Sequence, residues 1–301
     1  MMKKISIVTL IAVLLIGFSA CSNTDNKDAS QLALFPGEAS TSVVFELSGT
    51  LVETPDTMII YEIKPAEVTT DSVRALGTKL GFTGEAGPTD QGIIGMSNEK
   101  TGAMLRIDTN SGAIEFSYNR LDKLFPEGVP VLPSDEESKQ IACDYLTAIG
   151  LLPDDVKASD VVEGGGSGNI VKHLLVRFER EIGGIPVTGP GSKFDVRIGK
   201  NGEIVMFLLA HQEIKAPKEN ATIISSVKAY DHLSVGKGEY VVPMNCEKVV
   251  IENIRLAYYM GQLTEQQALL LPVFEFQGKC LDKDENYLED FVGWTEALAT
   301  S

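Results

Sequence analysis

Apolar side chains recur at every second position in several stretches of this chain, which commits those stretches to strands with one buried face. Ala103, Leu105 and Ile107 alternate with polar residues, Asp108-Thr-Asn-Ser-Gly112 supplies a turn, and Ile114, Phe116 and Tyr118 alternate again, which is a β-hairpin. Leu174, Val176 and Phe178 point one way along a further strand, and His173, Arg177 and Glu179 the other. Phe194, Val196 and Ile198 precede a hairpin turn, Gly199-Lys-Asn-Gly202, after which residues 204–210 return. Residues 57–63, 249–259 and 271–276 read as strands as well.

A period of three to four residues interrupts this pattern. Val73, Leu76 and Leu80 mark a helix over 69–80 that ends at Gly81. Ser134-Asp-Glu-Glu137 has the capping-box pattern, and the helix it opens buries Ile141, Ala142, Tyr145, Leu146 and Ile149 before Gly150 stops it. Residues 222–233 form a shorter helix. Each helix precedes alternating segments, so the expectation is an α+β fold of tandem helix-plus-antiparallel-sheet units at 43–125, 134–216 and 221–301. A proline-rich joint, 126–133, separates the first two. Gly164-Gly-Gly-Ser-Gly168 is a loop without the strand-then-helix setting of a phosphate site.

The N-terminus reads differently. Met1-Met2-Lys3-Lys4 is followed by an apolar run over 5–17 and then Phe18-Ser19-Ala20-Cys21. That order is a charged region, a short apolar region and small residues before a cut. The run falls short of the roughly 20 residues a spanning helix needs. Residues 1–20 are therefore expected to be a signal peptide. Phe18-Ser-Ala-Cys21 resembles the lipobox of bacterial and some archaeal lipoproteins, with Phe18 where leucine is usual. The resemblance implies diacylglyceryl and fatty-acyl (palmitate-type) modification of Cys21, with 21–42 as a lipidated tether. Two or more acyl chains anchor stably where one does not, which places the chain on the extracytoplasmic face of the membrane.

The formal net charge is −16, and loss of Lys3 and Lys4 with the leader makes it more negative. Such a chain does not seek nucleic acid by its charge. Cys143, Cys246 and Cys280 match no metal motif; a Cys246–Cys280 disulfide suits an oxidising compartment, and buried free thiols are the alternative.

No catalytic constellation stands out among the three histidines. His211-Gln-Glu213 lacks the second histidine of a zinc-protease motif. Asp282-Lys-Asp-Glu-Asn286 begins like a calcium loop, but Tyr287 stands where glycine is needed and Gly293 where glutamate is. Neither catalytic residue, metal nor cofactor is nominated, and a non-enzymatic binding role is expected. Gly184-Ile-Pro-Val-Thr-Gly-Pro-Gly191 combines glycines that permit close approach with a proline that fixes a turn. Arg177 and Arg180 beside it differ in direction, so at most one reaches a partner. Arg177, Gly184, Pro186 and Gly189 are the candidate contacts.

The stretch from Val176 to Gly189, with Gly184-Ile-Pro-Val-Thr-Gly189 and then Lys200-Asn-Gly-Glu203, resembles the propeptide region of thermolysin-like proteases and the related PepSY modules. Leu256-Ala-Tyr-Tyr259 with Leu271-Pro-Val-Phe-Glu-Phe-Gln-Gly278 looks like the last strands of such a unit, so the resemblance covers roughly 134–278. More loosely, the architecture is similar to the extracytoplasmic regulators YycH and YycI, although those are tethered by a transmembrane helix. The resemblances imply a protein partner, either a secreted peptidase that is inhibited or chaperoned or an envelope sensor that is modulated. The alternative is a module that binds a small molecule or envelope polymer in a cleft between repeats.

Overall fold

The computed structural model describes residues 43–165 and 170–299. Cys21, the leader 1–20, the tether 21–42 and most of the glycine loop at 164–168 lie outside the described residues. In chain order the elements are β1 (Val44–Leu47), β2 (Thr57–Ile63), α1 (Thr70–Lys79), β3 (Gly87–Asp90), β4 (Ile93–Asn98), β5 (Ala103–Asp108) and β6 (Ile114–Tyr118). Then come α2 (Leu121–Leu124), α3 (Asp135–Ile149), β7 (Val156–Gly165), β8 (Val171–Ile182), β9 (Ile185–Thr188), β10 (Phe194–Ile198) and β11 (Ile204–Leu209). The last are β12 (Ile214–Thr222), α4 (Ser226–Ser234), β13 (Glu239–Tyr240), β14 (Lys248–Tyr259), β15 (Leu269–Leu281) and β16 (Tyr287–Glu296).

The expected α+β class is corrected by the strand pairing. Of the described residues 46% lie in strands and 17% in helices, and the strands join in one mixed 16-stranded sheet. Its main path runs β12-β2-β15-β14-β9-β8-β10-β11-β6-β5-β4-β3, with β1 beside β14, β16 beside β15, β13 beside β16 and β7 beside β8. Separate helix-on-sheet units would end in strands whose N–H and C=O groups have no partners, and pairing across the expected boundaries satisfies those groups. Thus β6 pairs with β11 across the proline joint, Phe116 opposite Phe207. β12 returns to β2, and β9 lies parallel to the end of β14. β12 is at the end of the path, where Pro217 removes no central ladder bond.

The helices form for local reasons. Ser134 accepts from the Glu137 N–H while the Glu137 carboxylate accepts from the Ser134 N–H, and Gly150 ends α3 at φ +74°. Thr69 and Ser72 make the equivalent reciprocal cap on α1. Two large apolar clusters result, beside a small one around Tyr259 and Trp294. In one, Val73 of α1 and Ala142 and Leu146 of α3 pack on Leu105, Phe116, Val176, Val196 and Phe207. In the other, Ala229 and Leu233 of α4 pack with Val249, Ile251, Ile254, Phe274, Phe276 and Phe291.

Candidate interaction surface

The sheet end formed by the start of β8 and the β10–β11 turn is crossed by a strap, residues 121–133, that contains α2. Polar contacts pin its backbone at several points. The Lys172 ammonium donates to the Pro126 carbonyl at 2.9 Å and to the Gly128 carbonyl. His173 Nδ1 lies 3.3 Å from the Leu124 carbonyl, and the Asn201 N–H donates to the Val131 carbonyl at 2.8 Å. Lys123 pairs with Glu203 across the same end.

The pinned strap turns apolar side chains to water. Val129 is 78% exposed, Val131 70% and Phe125 43%, and the edge of the Phe125 ring meets His173. Beside Val131 a groove of about 460 Å3 opens between Leu132 and Pro133 on one wall and Glu137, Gln140 and Ile141 of α3 on the other, with Asn201 and Gly202 at its end. Burying one such side chain is worth roughly 1.5–3 kcal/mol. Prolines at 126, 130 and 133 restrict the strap further. The sequence reading treats 126–133 as a joint; the overlooked signal is Phe125, Val129, Val131 and Leu132, an apolar density that a solvated linker does not need.

The sequence-nominated contacts lie elsewhere. Arg177 is exposed on β8 opposite Asp195 of β10, where burial raises the Asp195 carboxyl pKa against the lowering pull of Arg177, Lys193 and Arg197. Gly184 closes the β8–β9 turn at φ +83°, and Pro186 pairs with Glu181. Gly189, at φ +99°, is pressed against the Met260 carbonyl and the Tyr259 ring, so the close approach its missing side chain permits is to its own chain. Gly184 lines a second cleft, of about 520 Å3, with Asp154, Asp155, Lys157, Ser159, Glu179 and Glu181. That cleft lies between β7, β8 and the β8–β9 turn. Neither Arg177, Pro186 nor Gly189 reaches it.

Two polar knots brace these elements. Arg180, 6% exposed, donates through Nε to Asp155 at 2.8 Å and through a terminal nitrogen to the Gln212 carbonyl. The other Asp155 oxygen lies 3.0 Å from His211 Nε2. Burial works to raise the Asp155 pKa, but hydrogen bonds from His211 and Arg180 and their charge outweigh it and hold the carboxyl well below the usual range. The second knot centres on Glu275, buried in β15. Its carboxylate accepts from Arg255 at 2.9 Å, from the Gln277 amide, from the Thr188 hydroxyl and from the Trp294 indole N–H. This ties β9, β14, β15 and β16 where the two halves of the sheet meet. A carboxylate between Phe274 and Phe276 in an apolar strand is a readable sign of such pairing, because an unpaired charge is costly there.

His173 is buried rather than turned outward, which lowers its pKa. Asp282 is the turn between β15 and β16, accepting from the Asp284 and Asn286 N–H groups. Among the described residues no group of three or more His, Cys, Asp or Glu is placed to hold a metal ion, and no helix is long and apolar enough to cross a membrane.

The geometry defines the chain as a β-rich mixed-sheet protein with an apolar strap at one sheet end. No protein-family model matches it, and no curated protein does. A crystal structure of an uncharacterized protein from Eubacterium rectale ATCC 33656 is similar, with a TM-score of 0.51 and 12% identity over 87% of this chain and 91% of that one. At that identity the likeness concerns the fold.

Proposed function

We propose that this chain is a non-enzymatic extracytoplasmic lipoprotein, anchored through Cys21, that binds a protein partner along residues 125–133 of its strap. The reading rests on one observation: a strap with a pinned backbone holds Phe125, Val129 and Val131 in water beside an apolar groove. Such a surface is ordered before binding, so a partner gains the burial without having to order the strap. The propeptide-like segment at 176–189 supports a secreted peptidase as partner, which would be restrained or chaperoned. The similarity to YycH and YycI supports an envelope sensor.

The test replaces both exposed valines, Val129→Asp with Val131→Asp, in the full lipidated chain. Losing two buried valines weakens binding by about 3 kcal/mol, roughly a hundredfold. Copurification from crosslinked membranes should recover a specific protein with the wild type and lose it with the variant. Equal recovery from both would remove the strap from the account.

A second reading, a small molecule or envelope polymer, is favoured by the 520 Å3 cleft, where Asp154, Glu179 and Glu181 would suit a cationic ligand. Glu179→Gln with Glu181→Gln would abolish that binding and leave strap-dependent capture unchanged.

A further inference from the structure

Cys246 and Cys280 come together in the second apolar cluster, both buried. Cys280 lies in β15 opposite Val249 of β14. Cys246 closes a turn in which its N–H donates to the Pro243 carbonyl, and the next residue, Glu247, donates to the Leu281 carbonyl at 3.0 Å. That bond draws the segment entering β14 against the end of β15 and brings the Cys246 thiol beside Cys280, while the hydrogen bond that this thiol itself donates goes to the Lys248 carbonyl at 3.5 Å. The same segment holds Met244 fully in solvent and Val241 83% exposed. A thiol hydrogen bond of that length is a weak tether for a segment that carries two apolar residues in water.

We propose that Cys246 and Cys280 form a disulfide in the exported protein, fixing residues 241–246 to β15. The oxidant is a protein disulfide of the thiol–disulfide oxidase class. One thiolate of the pair attacks that disulfide, forming a mixed disulfide and releasing one oxidase thiolate. The second thiolate then attacks the mixed disulfide, closing the Cys246–Cys280 bond and releasing the other oxidase thiolate. Two electrons pass to the oxidase, and its two thiolates take up the two protons lost. Burial raises the Cys280 pKa and so disfavours its thiolate in the folded chain. Exchange therefore takes place before the segment packs, and the closed bond is afterwards shielded from reductants. Cys143 of α3 has no partner cysteine among the described residues and remains a thiol.

The full chain, recovered from membranes, is denatured in the presence of an alkylating agent and digested with trypsin without reduction. The expected product is peptide 238–248 joined to peptide 280–283, two hydrogens lighter than the pair, with Cys143 alkylated. Both peptides alkylated singly would overturn the proposal. A second measurement reads stability: reductant should lower the melting temperature of the wild type and of Cys143→Ser. It should leave Cys246→Ser unchanged, and an equal fall in Cys246→Ser would also refute the bond.

Discussion

Replacing Phe207 by alanine tests whether the sheet runs unbroken across the joint that the sequence reads as a boundary. Phe207 is fully buried and stacks on Phe116, ring centroids 5.1 Å apart and planes 22° from parallel, at the pairing of β11 with β6. Removing a buried phenylalanine costs about 3–5 kcal/mol. For a chain of this size that lowers the melting temperature by roughly 6–20 °C. About 0.5–1.5 kcal/mol of it belongs to the aromatic pair, so Phe116→Ala and Phe207→Ala should together cost less than their sum. The assay is urea unfolding followed in parallel by far-ultraviolet circular dichroism and by fluorescence of Trp294, the single tryptophan. Trp294 packs on Tyr259, in the half of the sheet away from Phe207. Both signals should shift together in Phe207→Ala. A tryptophan transition that stays in place while the dichroism moves would mean independent units, and the continuous sheet would be wrong.

Asp155→Asn should destabilise by up to about 3 kcal/mol at neutral pH, because Arg180 is left buried without its carboxylate. The Asp155 pKa is depressed in the fold, so its contribution is present above the unfolded value near 4 and is lost as pH falls below it. The wild type should therefore lose melting temperature more steeply than the variant between about pH 5 and 2, and parallel curves would contradict the pairing. Gly189→Ala should cost clearly more than Gly184→Ala. Both demand positive φ, at roughly 1–2 kcal/mol, but only at Gly189 would the new methyl overlap a backbone carbonyl; equal losses in chemical denaturation would count against the seam at Met260. Cys21→Ala should move the protein from the membrane to the soluble fraction and abolish labelled-lipid incorporation, and labelling that survives would remove the anchor.

Local signals were legible because they are local. The Ser134 and Glu137 cap, the alternation over 103–118 and the turn at 199–202 each act within a few residues, and each is found where the pattern puts it. The class is not legible in the pattern, because a period of two says which face of a strand is buried and nothing about which strand lies beside it. Nothing in Ile185–Thr188 announces a parallel partner at Tyr258 and Tyr259, and nothing in β6 names β11. Gly184, Pro186 and Gly189 are nominated from turn chemistry, and turn chemistry explains Gly184 and Gly189 without any partner. The strap is hidden in the sequence for the converse reason: three prolines make 126–133 read as a joint, while its apolar content becomes informative only once Lys172, His173 and Asn201 are seen to hold it still.

Site-specific photo-crosslinking in intact cells tests the proposed strap most directly. A photoreactive residue at Val131 should give a discrete adduct with one protein. The same residue at Val235, also a valine and 62% exposed but at the end of α4, should give none. Adducts of equal yield at both positions, or an adduct at Val235 alone, would contradict the strap as the surface through which this protein meets its partner.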